Sequence, residues 1–291
     1  MELGELMKQQ NVHYFPGHMR KALNAIAGFV KLVDLVVIVA DARAPLATQN
    51  PYLYDVIGEK KRLLVLSKSD IADPEETKKW IAYFAKEGTP TIAGDLKKGK
   101  ILTLIDKTAE PLFTAKREKE ARLGMKQQPL RMMVIGVPNV GKSTFINSFR
   151  GDKKAKVANK AGYTRSEQWI RVSEKYLLLD TPGILPMNYE DKRKAMTLAI
   201  LGTMKEEVLP QEEIAYGLLE FLRKYYDPAL NSRFGIASLE GKENDDVLLE
   251  IAKKRGLLES GVPSLSKASY LLVKEFKDGL LGPYSLEKAD A

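Results

Sequence analysis

Along the first 180 residues, short unbroken apolar runs alternate with stretches whose apolar residues recur every three or four positions. "DLVVIVADAR" (34–43), "RLLVLSKSD" (62–70) and "LRMMVIGV" (130–137) are one strand long and rich in branched residues. They lack the polar alternate positions of a half-exposed strand, so they predict strands covered on both faces. "TPTIAGD" (89–95) predicts a further short strand, and "QWIRVSEKYLLLD" (168–180) predicts two strands joined by a turn. Between them, "HMRKALNAIAGFVKLV" places Leu23, Ile26, Val30 and Val33 at helical spacing. "NPYLYDVIG", "DPEETKKWIAYFAKEG", "ILTLIDKTAEPLFTAKREKEARLGM" and "KSTFINSFRG" also predict helices, the second with an acidic first turn and a stop at Gly88. Such alternation predicts a three-layer α/β domain with a mostly parallel sheet over residues 1–185. After "DTPGILP" the texture changes. "DKRKAMTLAILGTMKEEV", "QEEIAYGLLEFLRKYY", "DDVLLEIAKKRGLL" and "LSKASYLLVKEFKDGLLG" are all helical in period, so residues 186–291 are expected to form a smaller all-α domain.

The chemistry sits where strands end. Gly136, Gly141, Lys142 and Ser143 satisfy G-x-x-x-x-G-K-[ST] between a strand and a helix. A polyphosphate is cradled by backbone N–H groups, and glycines permit that approach. Val140, Gly141 and Thr144 belong to the same loop and helix start. Lys142 is expected to neutralise the outer phosphate oxygens, and the Ser143 hydroxyl to reach Mg²⁺. The helix behind the loop would aim its N-terminus at the phosphates. Downstream, "LLLDTPG" ends a strand in Asp180, which can hold Mg²⁺ through water, and Gly183 can offer its N–H to a γ-phosphate. Thr164, lying between, is the candidate for a second Mg²⁺ hydroxyl on a switch loop. The alternative is a glycine turn with an exposed lysine.

"SKSD" (67–70) ends the second strand. Asp70 can accept from N1–H and the exocyclic amine of guanine; adenine would leave that carboxylate mispaired. Lys68 can lay its stem across the base. Ser67 stands where a longer Asn would reach both base and cradle, so one of those two ties is expected to be lost or passed to water. Taken singly, S-K-S-D is as well explained by a polar strand end and turn. Position argues otherwise. This stretch lies before the cradle, and read in a circle the elements follow the small-GTPase order, with the chain opened between strands 3 and 4.

The chain has 291 residues, 44% hydrophobic and 29% charged, with 46 Lys and Arg against 38 Asp and Glu, a net +8. That surplus is compatible with a polyanionic partner or simply a basic surface. There is no cysteine, which excludes thiol catalysis and disulfides. "MELGELMKQQNV" carries no apolar core of a signal peptide, and "LVDLVVIVA" is too short to span a bilayer. A cytoplasmic location, with no membrane partner, is expected.

The segments "YFPGHMRKA", "DARAP", "LSKSD", "GVPNVGKST", "DTPGIL" and "GLLGPYSLE" span nearly the whole chain. In that order they resemble the circularly permuted ribosome biogenesis GTPase A family (YlqF type). Ser67 departs from the family's Asn, and "AGDLKKG" matches its base-contacting loop poorly, leaving Ala93 and Gly94 as the positions for such contacts. The resemblance implies binding of GTP and GDP with Mg²⁺. It implies hydrolysis of GTP to GDP and phosphate, slow alone and stimulated by a ribosomal partner. Ile184 occupies the place where many GTPases position water with Gln, and an alkyl chain cannot do so. The resemblance implies instead that His18 swings toward the nucleotide; a histidine satisfying the first helix is the plainer alternative. Asn139 resembles the asparagine that coordinates K⁺ in potassium-stimulated relatives.

The basic residues Lys253, Lys254, Arg255, Lys267, Lys274 and Lys277, with Lys116, Arg117, Lys119, Arg122, Lys153, Lys154, Lys156, Lys160 and Arg165, are equally typical of solvated helix faces. With the resemblance they imply contact with rRNA in the large ribosomal subunit or its precursor, by a protein expected to act as a monomer. Two other readings stand beside the switch: an RNA-binding scaffold with a nearly inert nucleotide site, and a P-loop kinase or ATPase, which "SKSD" disfavours.

Overall fold

The computed structural model describes residues 24–96, 101–150, 156–157, 169–179, 191–204 and 209–290. A helix over residues 24–30 (α1) leads into β1 (Leu35–Asp41). Then follow α2 (Tyr52–Ile57), β2 (Lys61–Ser67), α3 (Pro74–Lys86) and β3 (Thr91–Ala93). Next come α4 (Ile101–Ala109), a 3₁₀ turn (Glu110–Phe113) and α5 (Thr114–Arg122). The expected single helix is thus interrupted at Pro111, whose ring and missing N–H end the α ladder. The second half of the sheet domain holds β4 (Leu130–Ile135), α6 (Lys142–Arg150), β5 (Lys156–Val157), β6 (Trp169–Arg171) and β7 (Tyr176–Leu179).

These strands form one sheet in the order β3-β2-β1-β4-β7-β6-β5. β1 pairs in parallel with β2 and β4, β2 with β3, and β4 with β7; β6 is antiparallel to β7, and β5 to β6. The cradle strand β4 is central. The strands that follow it in sequence lie on one side, and those that precede it lie on the other. This is the permuted order expected from the sequence. It makes the β1–β4 junction a topological switch point, where ligands of α/β sheets bind beyond the carboxyl ends of the strands.

Strand alternation explains the continuous apolar runs. Leu35, Val37 and Val39 face a core shared with α4, α6 and the helical segment, while Val36, Ile38 and Ala40 face α1, α2 and α3. α3 starts where Asp73 Oδ1 accepts from the N–H groups of Glu75 and Glu76, at 3.0 and 3.2 Å, and buries Trp80 and Phe84. Such a cap contributes about 1 kcal/mol.

The helical segment comprises α7 (Lys192–Ile200), α8 (Gln211–Tyr225), a 3₁₀ turn (Asp227–Leu230), α9 (Asn231–Phe234), α10 (Asn244–Arg255) and α11 (Leu265–Lys277). One feature departs from the all-helical pattern. A two-residue-per-strand hairpin, β8 (Leu258–Glu259) and β9 (Val262–Pro263), joins α10 to α11 through Ser260 and Gly261, both at positive φ (50° and 83°). Strands this short carry no periodicity for a sequence to show.

Candidate functional site

The cradle is built on a close backbone approach. A Cβ at Gly136 would sit 2.4 Å from the carbonyl oxygen of Val39, so only glycine lets β4 leave the sheet beside β1. The loop then turns through positive φ at Asn139 (60°) and Gly141 (99°) before α6 begins. Asn139 adopts that conformation more readily than most residues. Its side-chain amide donates to the carbonyl of Gly202 at 2.6 Å, tying the loop to the turn after α7. Lys142 Nζ curls back to donate to Val137 O at 2.6 Å. Burial lowers the Lys142 ammonium to about 8. An incoming phosphate would replace that single carbonyl with full negative charge and restore the lysine's basicity. Ser143 is exposed at the first turn of α6, Thr144 is half-buried, and Val140 is fully buried beneath the loop.

The second segment meets the first here. Ser67, the last residue of β2, is fully buried and its hydroxyl lies 2.5 Å from Val140 O and 3.0 Å from Ala40 O. Both carbonyls are within hydrogen-bond reach of this one hydroxyl, which joins the end of β1 to the cradle. A Cβ on Gly141 would stand 3.6 Å from both Ser67 Cβ and Leu96 Cδ1, so β2, the loop after β3 and the cradle close on one another. Of the two ties expected of this position, the short side chain makes the one to the cradle. Lys68 follows at φ 56° and is partly exposed, while Asp70 is exposed in the turn closed by Ile71 N–H to Lys68 O at 3.1 Å. Ala93 pairs with Leu66, and Gly94 N–H donates to Leu66 O at 3.2 Å, which sets both beside the end of β2.

Two residues that sequence reasoning passed over hold this end together. Asp41 closes β1 with no exposure. It takes Arg43 Nε and Nη2 at 3.0 and 2.9 Å and Lys68 Nζ at 2.9 Å. Burial alone would raise the Asp41 carboxyl; Arg43, and then Lys68, outweigh it and hold the group well below the usual carboxylate range. The Lys68 ammonium is therefore anchored at the end of β1. Arg43 is itself only 1% exposed, and its Nη1 donates to Phe276 O and Lys277 O at 3.3 and 3.2 Å. "DARAP" signalled this pairing only as an acid and a base two residues apart, a spacing that strands and turns use for many purposes.

His18, Thr164, Asp180 and Gly183 lie outside the described residues, as do Ile184, Lys153, Lys154, Lys160 and Arg165. Of the basic residues that are described, several are engaged internally. Lys116 pairs with Asp34 at 2.9 Å, and Arg117 bonds Glu120 and Gln128 O at 3.1 and 2.8 Å. Lys254 pairs with Glu250 at 2.9 Å, and Arg255 donates to Arg233 O at 3.1 Å. Lys253 and Lys274 are exposed.

A family model described as "50S ribosome-binding GTPase" matches residues 131–221, which take in the cradle strand and loop. The ribosome biogenesis GTPase A of Bacillus cereus is 35% identical over 277 residues, covering 95% of this chain and 93% of that protein. Among solved structures, GDP-bound TM YlqF aligns at TM-score 0.65 and 30% identity over 92% of this chain and all (100%) of that one. GNP-bound YlqF from T. maritima aligns at 0.66 and 29% identity over 93% of this chain and 99% of that one. With a cradle strand at the centre of a permuted sheet, a clamp strand bonded to the cradle and near-complete alignment to these relatives, the chain belongs to the ribosome biogenesis GTPase A family.

Proposed function

We propose that the protein binds guanine nucleotides and hydrolyses GTP as a molecular switch in assembly of the large ribosomal subunit. The observation that carries this reading is the bond from Ser67 to Val140, which brings residues 73 positions apart in the chain to one site. Phosphates would sit in the loop of Asn139, Val140, Gly141, Lys142, Ser143 and Thr144. The base would sit at Ser67, Lys68 and Asp70, flanked by Ala93 and Gly94. Mg²⁺ fits the hard oxygen donors expected there: the Ser143 hydroxyl, the phosphates, and Thr164 and Asp180. When bound it neutralises charge on the transferring phosphoryl group. Lys142 contributes charge from the protein side, and Gly183 a backbone N–H to the γ-phosphate. A K⁺ ion would use the side-chain carbonyl of Asn139, whose amide is already turned toward Gly202. His18 is the residue for orienting the attacking water, since Ile184 cannot.

Residues 1–185 would serve as the GTPase domain and 186–291 as an RNA-binding domain. Exposed Lys253 and Lys274, with Tyr270 at 52% exposure, support a surface that meets RNA phosphates and stacks a base. Contact with the pre-ribosome would stimulate turnover of a cytoplasmic monomer.

Competition of GTP against ATP tests the base assignment, and GTPase assays with and without large ribosomal subunits test the switch. Turnover that ignores subunits would leave the chain an RNA-binding scaffold. His18→Ala should lower stimulated hydrolysis with GTP binding intact.

A further inference from the structure

We propose that the C-terminal tail, residues 279–290, is the back wall of the base-binding end, with Gly279, Ser285 and Tyr226 as positioning residues for Asp70. This rests on the reading of Asp70 as the guanine acceptor.

The turn between β2 and α3 is short, and Asp70 is exposed on it. A carboxylate that must meet two donors on a purine edge needs that turn held still, because small misplacements cost recognition. β2 fixes one end of the turn. The other end is held by the cap of α3 at Asp73 and by groups 153 to 212 positions further along the chain. Gly279, at φ +75°, packs so closely that a Cβ there would lie 2.3 Å from Ile71 Cγ2, next in sequence to Asp70. Asp73 N–H donates to the hydroxyl of Ser285 at 3.0 Å, and Ser285 is fully buried. Tyr226 OH donates to Asp73 Oδ2 at 2.9 Å. Lys288 Nζ lies 3.6 Å from the same carboxylate, and Ala289 N–H donates to Glu76 Oε2 at 3.1 Å.

The tail is equally fixed to the neighbouring loop. Leu286 N–H donates to Arg43 O at 2.7 Å, and the Glu287 carboxylate accepts from the N–H groups of Leu46 and Ala47, each at 2.7 Å. It therefore bridges the loops after β1 and β2, the two strands whose ends carry the Asp41–Lys68 pair. Covering by the tail and α7 also explains why "DARAPLATQN" is buried at every position but Leu46 despite its polar residues.

Inosine diphosphate lacks the exocyclic amine of guanine, so the ratio of its Kd to that of GDP reads Asp70 placement. A loss of folded protein weakens both nucleotides equally and leaves the ratio unchanged. Both affinities are measured by competition on the full chain for wild type, Gly279→Ala, the double variant Ser285→Ala with Tyr226→Phe and, as reference, Asp70→Ala. Gly279→Ala, and Ser285→Ala combined with Tyr226→Phe, are expected to lower the ratio about threefold or more. Ratios unchanged in the tail variants, with the ratio collapsed in Asp70→Ala, would overturn the proposal. An unchanged ratio in Asp70→Ala would instead remove the base-acceptor reading, and the proposal with it.

Discussion

The hydroxyl of Ser67 donates to the carbonyl of Val140 at 2.5 Å, so the end of β2 is fastened directly to the glycine loop before α6. A serine side chain is long enough for this tie, because β2 and the loop approach within contact of Gly141.

Removing that hydroxyl should separate the two halves of the site. Ser67→Ala strands a buried carbonyl, at about 1–3 kcal/mol. GDP affinity is expected to fall about tenfold and, on the proposed reading of Asp70 as the guanine acceptor, preference over ADP to be retained. Fluorescent-GDP titration checks it; full affinity would mean that the tie does not serve binding.

Lys142 makes binding dependent on pH. Its folded value, about 8, lies below the ordinary 10.5. Phosphate requires the charged form, so GDP affinity should decline as pH rises from 7 through about 8, with proton uptake on binding near that pH. Calorimetry in buffers of different ionisation enthalpy measures the uptake.

The same burial opposes folding. Below pH 8 the lysine is charged in both states, and only the native state carries the desolvation penalty; the penalty is relieved as pH rises from 8 toward 10.5. Lys142→Met is expected to stabilise the nucleotide-free protein by about 1–3 kcal/mol at pH 7 while abolishing nucleotide binding. Urea unfolding would expose the error if the variant were less stable.

Asp41→Asn should be costly for the opposite reason. It leaves Arg43 buried without its counter-charge, at about 3–5 kcal/mol. The wild-type carboxyl is depressed in the fold, so its contribution is complete above the unfolded value near 3.8 and is lost as pH falls below it. The stability gap between wild type and variant, read by denaturant titration, should therefore be full at pH 7 and narrow below pH 4.

Gly136→Ala should disable the cradle outright. The obstacle is backbone, Val39 O at 2.4 Å, and cannot rotate aside as a flexible side chain would. Loss of GDP binding with a lowered thermal midpoint is expected; normal binding would show that β4 can exit the sheet by another path.

Local patterns determined a great deal in advance. The strand runs, the glycines of the loop and the lysine after them are properties of near neighbours in sequence, and the order of "SKSD" before the glycine loop is read directly along the chain. Together they fixed the parallel sheet, the central cradle strand and the pairing of two distant segments. Packing decided the rest. Whether Ser67 bonds base or cradle, where the Lys68 ammonium goes, and that Arg43 is buried against α11 depend on groups that meet only once the sheet and helices close. The same holds for charge: Lys116 and Arg117 read as free basic surface, yet Asp34, Glu110 and Glu120 take them up once α5 is folded. Periodicity reports which face of an element is apolar. It does not report which polar atom, two hundred residues away, will complete a hydrogen bond, because that choice is made by distance in space.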